Sequence, residues 1–129
     1  MNATLRSWND VQAEQPLPGV TRRYVSGEQA MVAQFELRAG SVVPWHAHAN
    51  EQISVILAGR VRFELGSSDA PDVLEASAGD TVVIPGHLPH QVTVLEEARV
   101  IDVFAPPRTD WLGGSDAVPQ AEQKQNRQV

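Results

Sequence analysis

The chain has no cysteine. That excludes a disulfide framework, a thiolate metal site and a cysteine nucleophile. It has no excess of positive charge. Ten Lys and Arg stand against 16 Asp and Glu, for a formal net charge of −6 and a pI near 5.1. The basic footprint of a partner for nucleic acid or an anionic membrane is missing. No apolar run nears the roughly 20 residues that a membrane-spanning helix needs. Met1 to Trp8 lacks the apolar stretch of a secretory leader. The expectation is a cytoplasmic protein with no nucleic-acid and no membrane partner. The middle of the chain lacks a helical period of useful length, and it lacks internal repeats.

What is present is ordinary in bulk. With 129 residues, 42% apolar and 20% charged, there is room for one modest core and one domain. From Val20 onward the apolar residues recur with period two. Met31, Ala33, Phe35 and Leu37 alternate with Val32, Gln34, Glu36 and Arg38. Val61, Phe63 and Leu65, then Val92 and Val94, then Val100, Asp102 and Phe104, repeat the pattern. Such alternation marks half-buried strands. The runs Ile53–Leu57 and Thr81–Ile84 are apolar enough to predict more fully buried strands. Turn signals at Ala39-Gly40, Ala58-Gly59, Gly66 to Pro71, Ala78-Gly79-Asp80 and Pro85 to Pro89 separate them. Eight or so short strands with Gly and Pro turns predict an all-β barrel or jelly roll, whose interior holds side chains or one small ligand.

The ends differ from the middle. Leu5, Trp8 and Val11 at spacing three predict a short helical turn packing one apolar stripe on the body, within an N-terminal arm over residues 1–19. The domain is expected over 1–112. Residues 113–129 hold Gly-Gly, four Gln and only Val118 and Val129 as aliphatics beyond alanine, so a flexible tail is expected there.

One stretch organises the rest: Pro44-Trp45-His46-Ala47-His48-Ala49-Asn50-Glu51-Gln52. On a strand, residues i and i+2 share a face about 6.6 Å apart, at about 3.3 Å per residue. Two imidazoles at that spacing can lean onto one metal ion through bonds of about 2.0–2.1 Å. Trp45, beside them, belongs either to the rim or to the core.

These residues carry a resemblance. Gly40, His46, His48, Gln52 and Gly59 fall on the spacing of the first cupin motif, and Gly79, Pro85 and His90 on that of the second. The cupin family implies a double-stranded β-helix, or jelly-roll barrel. It also implies a metal held by three histidines and one acidic residue drawn from both motifs. Here Gln52 stands where Glu is usual, His87 where Gly is usual, and Val94 where Asn is usual. The implied ligand set is His46, His48, Gln52 and His90 around one divalent transition ion: nickel, zinc, iron or manganese. Strand parity points Gln52 inward, although a bulge would turn Glu51 inward instead. His87 is expected to line the mouth, with ligation in place of His90 as its alternative.

The chain also resembles the uronate-linearising cupins of pectin and alginate breakdown, the KdgF type. The early Trp8, the His-x-His pair followed by Gln, and the ending Asp102-Val103-Phe104-Ala105-Pro106-Pro107-Arg108-Thr109-Asp110-Trp111-Leu112 carry that likeness. It implies a metal-dependent isomerase that opens monomeric 4,5-unsaturated uronates to the linear 5-keto-4-deoxy form.

Three residues would serve that chemistry. Asp102 shares a face with Val100 and Phe104, and a carboxylate facing inward needs a partner or a task. It is either ion-paired, with Arg108 as candidate, or a general acid and base. Phe104 is an apolar wall for a sugar ring or a core residue. Arg108 grips a substrate carboxylate through two parallel hydrogen bonds, or is solvated. With Gln in place of a carboxylate, the usual triad of oxygen-activating iron sites is absent. A metal-dependent dioxygenase and a non-catalytic binding cupin are the alternatives. The family further implies a homodimer. Arg22, Arg23 and Tyr24, on an early strand, are expected to be structural or interface residues.

Overall fold

The computed structural model describes residues 2–112. Eight strands form one antiparallel sheet: β1 (Glu14–Leu17), β2 (Val20–Ser26), β3 (Met31–Leu37), β4 (Val42–His46), β5 (Glu51–Leu65), β6 (Asp72–Ser77), β7 (Thr81–Ile84) and β8 (His90–Ala105). The strand order is β1-β2-β3-β8-β5-β6, with β4 added to β8 and β7 to β5. A 3₁₀ turn, Trp8–Asp10, precedes the strands, and a one-turn helix, α1 (Thr109–Leu112), follows them.

Two strands hold the barrel together. β5 has 15 residues and β8 has 16, against a usual length of about five or six. They pair with each other from Glu51↔Ala105 to Leu65↔His90. The first part of β5 also pairs β7, and the last part pairs β6. The end of β8 pairs β3, and its start pairs β4. Each long strand therefore runs through both walls, and register shifts between Ile56 and Val61 bend it from one wall to the other. The Ala58-Gly59 turn expected from sequence is this bend, inside a single strand. Gly59 has φ 84°, and a Cβ there would collide with the Glu97 carbonyl. Only glycine combines that backbone with so close an approach.

The alternation of β3 and of the ends of β5 and β8 places Phe35, Leu37, Val61, Phe63, Val100 and Phe104 inside. The two runs expected to be more fully buried each keep one open face. Leu57 is 48% exposed and Val83 59%. No second layer covers the outside of this chain's barrel among the described residues, so only one face of each run is dry.

The N-terminal segment also departs from expectation. The 3₁₀ turn buries no residue, and Leu5 is 91% exposed. Three residues, started by an Asn9 N–H donating to Ser7 Oγ, are too short to present a stripe. The later part of the arm is a strand. Glu14 of β1 sits opposite Arg22 of β2, and their side chains form a buried ion pair at 2.8 Å. Arg22 is thus a structural residue within the chain, lying 4.0 Å over the Trp111 ring. The tail expected over 113–129 lies outside the described residues.

Candidate metal centre

His46 ends β4. Between Val43 and His46 the register against β8 slips by one, so both side chains, three residues apart, line the same cavity. Pro44 sits at this bulge, where a residue without an N–H is tolerated in a sheet. His48 lies beyond the end of the strand. The two histidines therefore meet around a strand end and not along a continuous strand, as their spacing alone suggested. His90 opens β8 directly opposite His46. The loop before it presses on the turn after His46. The His87 N–H donates to the His48 carbonyl at 2.7 Å, and a Cβ on Gly86 would run into the Ala49 carbonyl.

The result is a cluster of three imidazoles. Ring centroids lie 4.3 Å apart for His46 and His90, 5.1 Å for His48 and His90, and 5.6 Å for His46 and His48. One nitrogen from each lies within 4.8 Å of the others.

Backbone carbonyls set the orientation of each ring. The Nδ1 of His46 donates to the Pro44 carbonyl (2.7 Å), that of His48 to the Asn50 carbonyl (3.1 Å) and that of His90 to the Leu88 carbonyl (2.8 Å). With Nδ1 so engaged, each Nε2 carries a lone pair, the arrangement that metal-binding histidines use. Burial lowers the pKa of His46 to about 4, and that of His48 to about 4 with help from the Arg108 charge. Burial lowers His90 as well. All three rings are neutral near pH 7, as ligands must be. His90 Nε2 is buried with no hydrogen-bond partner, a costly state that a bound ion relieves. The donor set fits a divalent transition ion.

The other expected residues fall as follows. Gln52 is buried and lines the cavity, while Glu51 on the opposite face is exposed. His87 is exposed and outside the cluster. Trp45 is half-buried. Asp102 is buried in the cavity wall. It accepts from Ser54 Oγ at 2.6 Å and from Gln52 Nε2 at 3.3 Å. Burial raises its pKa to about 6, against the Ser54 hydrogen bond and the Arg108 charge, which lower it. Phe104 is fully buried, edge-on to His48 at 5.7 Å and to Trp111 at 5.1 Å. It is both core and cavity wall.

Arg108 is placed otherwise than expected. It is 1% exposed. Its Nε and Nη2 donate to the two oxygens of Asp110 at 3.0 and 2.8 Å. The fork engages a neighbour two residues on, and neither Asp102 nor open solvent. Its charge still reaches the three imidazoles and Asp102.

Four contributors were given no role by the sequence, although Asp110 and Trp111 belong to the C-terminal motif. Ser54 sits two residues after Gln52, on the same strand face, and that parity is its only signal. Asn50 donates to the carbonyls of Pro106 (2.6 Å) and Pro107 (3.1 Å), tying the start of β5 to the segment that delivers Arg108. Asp110 clamps Arg108, and Trp111, 0% exposed, fills the barrel end beside it.

The cavity holds ≈ 440 Å³ counting its open mouth. His46, His90, Gln52, Ser54 and Asp102 form its polar part, and Phe35, Val43, Val61, Phe63 and Val100 are among its apolar lining. Comparison with known families finds the cupin domain over residues 33–104, more than half of the chain. The chain is a cupin. No curated protein matches it. Among solved structures, this cupin is similar to KdgF from Halomonas sp. The two share 26% identity over 84% of this chain and 98% of that one, with a TM-score of 0.75. It is similar in fold to an RmlC-like cupin from Shewanella frigidimarina (24% identity, 84% and 96% covered, TM-score 0.69). It is also similar in fold to an oxalate decarboxylase from Bacillus subtilis (20% identity, 94% and 40% covered, TM-score 0.71).

Proposed function

We propose that this cupin is a metal-dependent isomerase that opens monomeric 4,5-unsaturated uronates to linear 5-keto-4-deoxyuronates. The observation that carries the reading is Asp102. A buried carboxyl with a pKa raised to about 6 lies in the wall of a cavity lined also by His46 and His90, two members of the three-imidazole cluster. A group poised near neutral pH can both accept and return a proton. The likeness to the Halomonas KdgF supports the substrate class.

Substrate and product are isomers, so neither oxidant nor reductant is consumed. Asp102 takes the proton of the anomeric hydroxyl as the bond between C1 and the ring oxygen breaks. The electron pair of that bond stays on the former ring oxygen as an enolate. A proton then returns from Asp102 to C4. One divalent ion, held by His46, His48, Gln52 and His90, would supply positive charge for the enolate oxygen. Phe104 shapes the wall under His48. Arg108 acts as a fixed positive charge that draws the sugar acid, since Asp110 already holds two of its N–H groups. The three-histidine cluster includes no carboxylate, which favours isomerisation over a dioxygenase.

Purified protein should bind about one divalent transition ion per chain by elemental analysis. It should speed the loss of the double-bond absorbance of an unsaturated uronate. Asp102→Ala should abolish that effect even when metal is added to saturation. A wild type that leaves the absorbance at its spontaneous rate overturns the reading. Oxygen uptake with Fe(II), or binding without turnover, would assign the alternatives instead.

The working unit is proposed to be a homodimer. Val25, Val32, Val103, Ile53 and Val83 lie side by side in register across five strands on the outside of the barrel. That row is apolar; on the same face Arg23 and Glu51 lie two residues from Val25 and Ile53, and the pair Glu36 and Arg99 lies four residues from Val32 and Val103. A neutral face on a chain of net charge −6 meets its own copy without repulsion.

A further inference from the structure

The Gln52 amide sits between two demands. Its Nε2 donates to Ser54 Oγ at 3.1 Å and to Asp102 Oδ2 at 3.3 Å. The Ser54 hydroxyl in turn donates a hydrogen bond to Asp102 Oδ1 at 2.6 Å. Asp102 therefore receives one hydrogen bond from each neighbour, and the amide nitrogen is committed to that side. The amide oxygen is left for the other side, where it lies 3.1 Å from His48 Nε2.

That last contact does not work as a simple hydrogen bond. A neutral imidazole has one N–H. The His48 ring has an acceptor at each end, the Asn50 carbonyl at Nδ1 and Gln52 Oε1 at Nε2, both at 3.1 Å. With the proton on Nδ1, two lone pairs face each other at the mouth of the cavity. Turning the amide over would cure this contact but would set its oxygen against the Asp102 carboxylate and remove one of that group's two donors. A cation shared by Nε2 and Oε1 satisfies both ends, and the amide then needs no turning.

We propose that Ser54 and Asp102 are positioning residues for the metal: together they hold the Gln52 amide with its oxygen toward the ion. The same arrangement accounts for an amide where cupins usually carry Glu. A residue at 52 must both donate to Asp102 and give oxygen to the ion. Gln does both, whereas an ionised Glu does only the second and sets two buried carboxylates against each other. Acceptor at 102 and donor at 52 form a matched pair whose polarity can be exchanged. This inference rests on the metal site proposed above and not on the reaction assigned to it.

The test uses zinc and nickel as probes, with affinity measured by chelator competition and thermal stability measured without metal. Ser54→Ala leaves every proposed ligand in place and is expected to weaken both metals about 10–100-fold. Ser54→Thr, which keeps the hydroxyl, is expected to restore affinity. Gln52→Glu alone is expected to lower the melting temperature of the metal-free protein. Adding Asp102→Asn, so that the donor now sits at 102, is expected to recover it and to bind metal at least as tightly as wild type. Ser54→Ala binding both metals within about twofold of wild type, where a lost second partner of a ligand predicts at least about tenfold, overturns the proposal. So does a Gln52→Glu protein as stable as wild type with no gain from Asp102→Asn. If Ser54→Ala does not fold, the exchange at 52 and 102 decides alone. A wild type that takes up neither metal sinks the metal site itself, a result distinct from wild-type binding that Ser54→Ala leaves unchanged.

Discussion

Trp111→Ala should cost this domain a large part of its stability. Trp111 is fully buried, although it sits only one turn beyond the last strand. Its ring lies 5.1 Å from Phe104, 5.4 Å from Tyr24 and 6.2 Å from Phe35, all at tilted or edge-on angles. The Arg22 guanidinium lies 4.0 Å from the ring centre and that of Arg108 4.8 Å. Truncating a buried Trp to Ala costs about 3–5 kcal/mol. Aromatic pairs and desolvated cation–π contacts push the value to the upper part of that range. A loss of about 4 kcal/mol is a large share of the roughly 5–15 kcal/mol that a domain of this kind possesses. It corresponds to a fall of about 15–25 °C in Tm. Urea unfolding followed by circular dichroism should show a lower midpoint at an unchanged slope, because the surface exposed on unfolding changes little. Trp111→Phe keeps a ring and should lose less than half as much. A fall in Tm under about 5 °C, well below the cost of a core cavity, would refute the claim that this turn closes the barrel.

Three other outcomes are expected. Metal-free protein should lose stability as pH falls from 6.5 towards 4. His46 and His48 have folded pKa values of about 4, and His90 is also lowered, so below 6.5 the unfolded chain binds protons that the folded chain refuses. Asp102 acts oppositely: raised to about 6, it regains stability on protonation as pH falls from 6 to its ordinary 3.8. Three histidines outweigh one carboxyl, and a Tm that rises through this window would contradict the burial of the cluster. Gly59→Ala should destabilise by more than the about 1–2 kcal/mol that a left-handed residue costs, because its Cβ also meets the Glu97 carbonyl; a melt unchanged from wild type would show the bend to be looser than described. Ile53→Glu with Val83→Glu should convert a dimer to a monomer in light scattering while leaving metal content unchanged, and a wild type that runs as a monomer rules out the outer face as an interface.

Much of the barrel was legible because a half-buried strand writes its exposure into the chain as an alternation. Met31 to Leu37 is the clearest case. Where the alternation fails as a guide, the cause is tertiary. Ile53 to Leu57 reads as a more fully buried strand, yet among the described residues no element of this chain covers its outer face. Ala58-Gly59 reads as a turn because glycine marks both turns and bends, and only the unbroken pairing of β5 with β8 tells them apart. The early arm reads as an apolar stripe from three residues, too few to define a face.

The metal cluster was legible for a different reason. His-x-His and the later His90 are short-range patterns attached to strands that the topology must bring together. The residues that set the chemistry around them are harder to see, because each acts through a partner far along the chain or through an unremarkable neighbour. Ser54 looks like a polar break in an apolar run until strand register puts it against Asp102, 48 residues on. Arg108 looks like a hand for a carboxylate until Asp110, two residues away, is found to hold it. Both corrections share one physical origin. A buried polar group must be satisfied, and in a small barrel the nearest partner is often another member of the site. Satisfying Asp102 is what commits the nitrogen of Gln52, and satisfying the nitrogen is what leaves its oxygen facing His48. The oxygen proposed as the fourth ligand would thus be aimed by a carboxylate on the neighbouring strand that need not touch an ion itself.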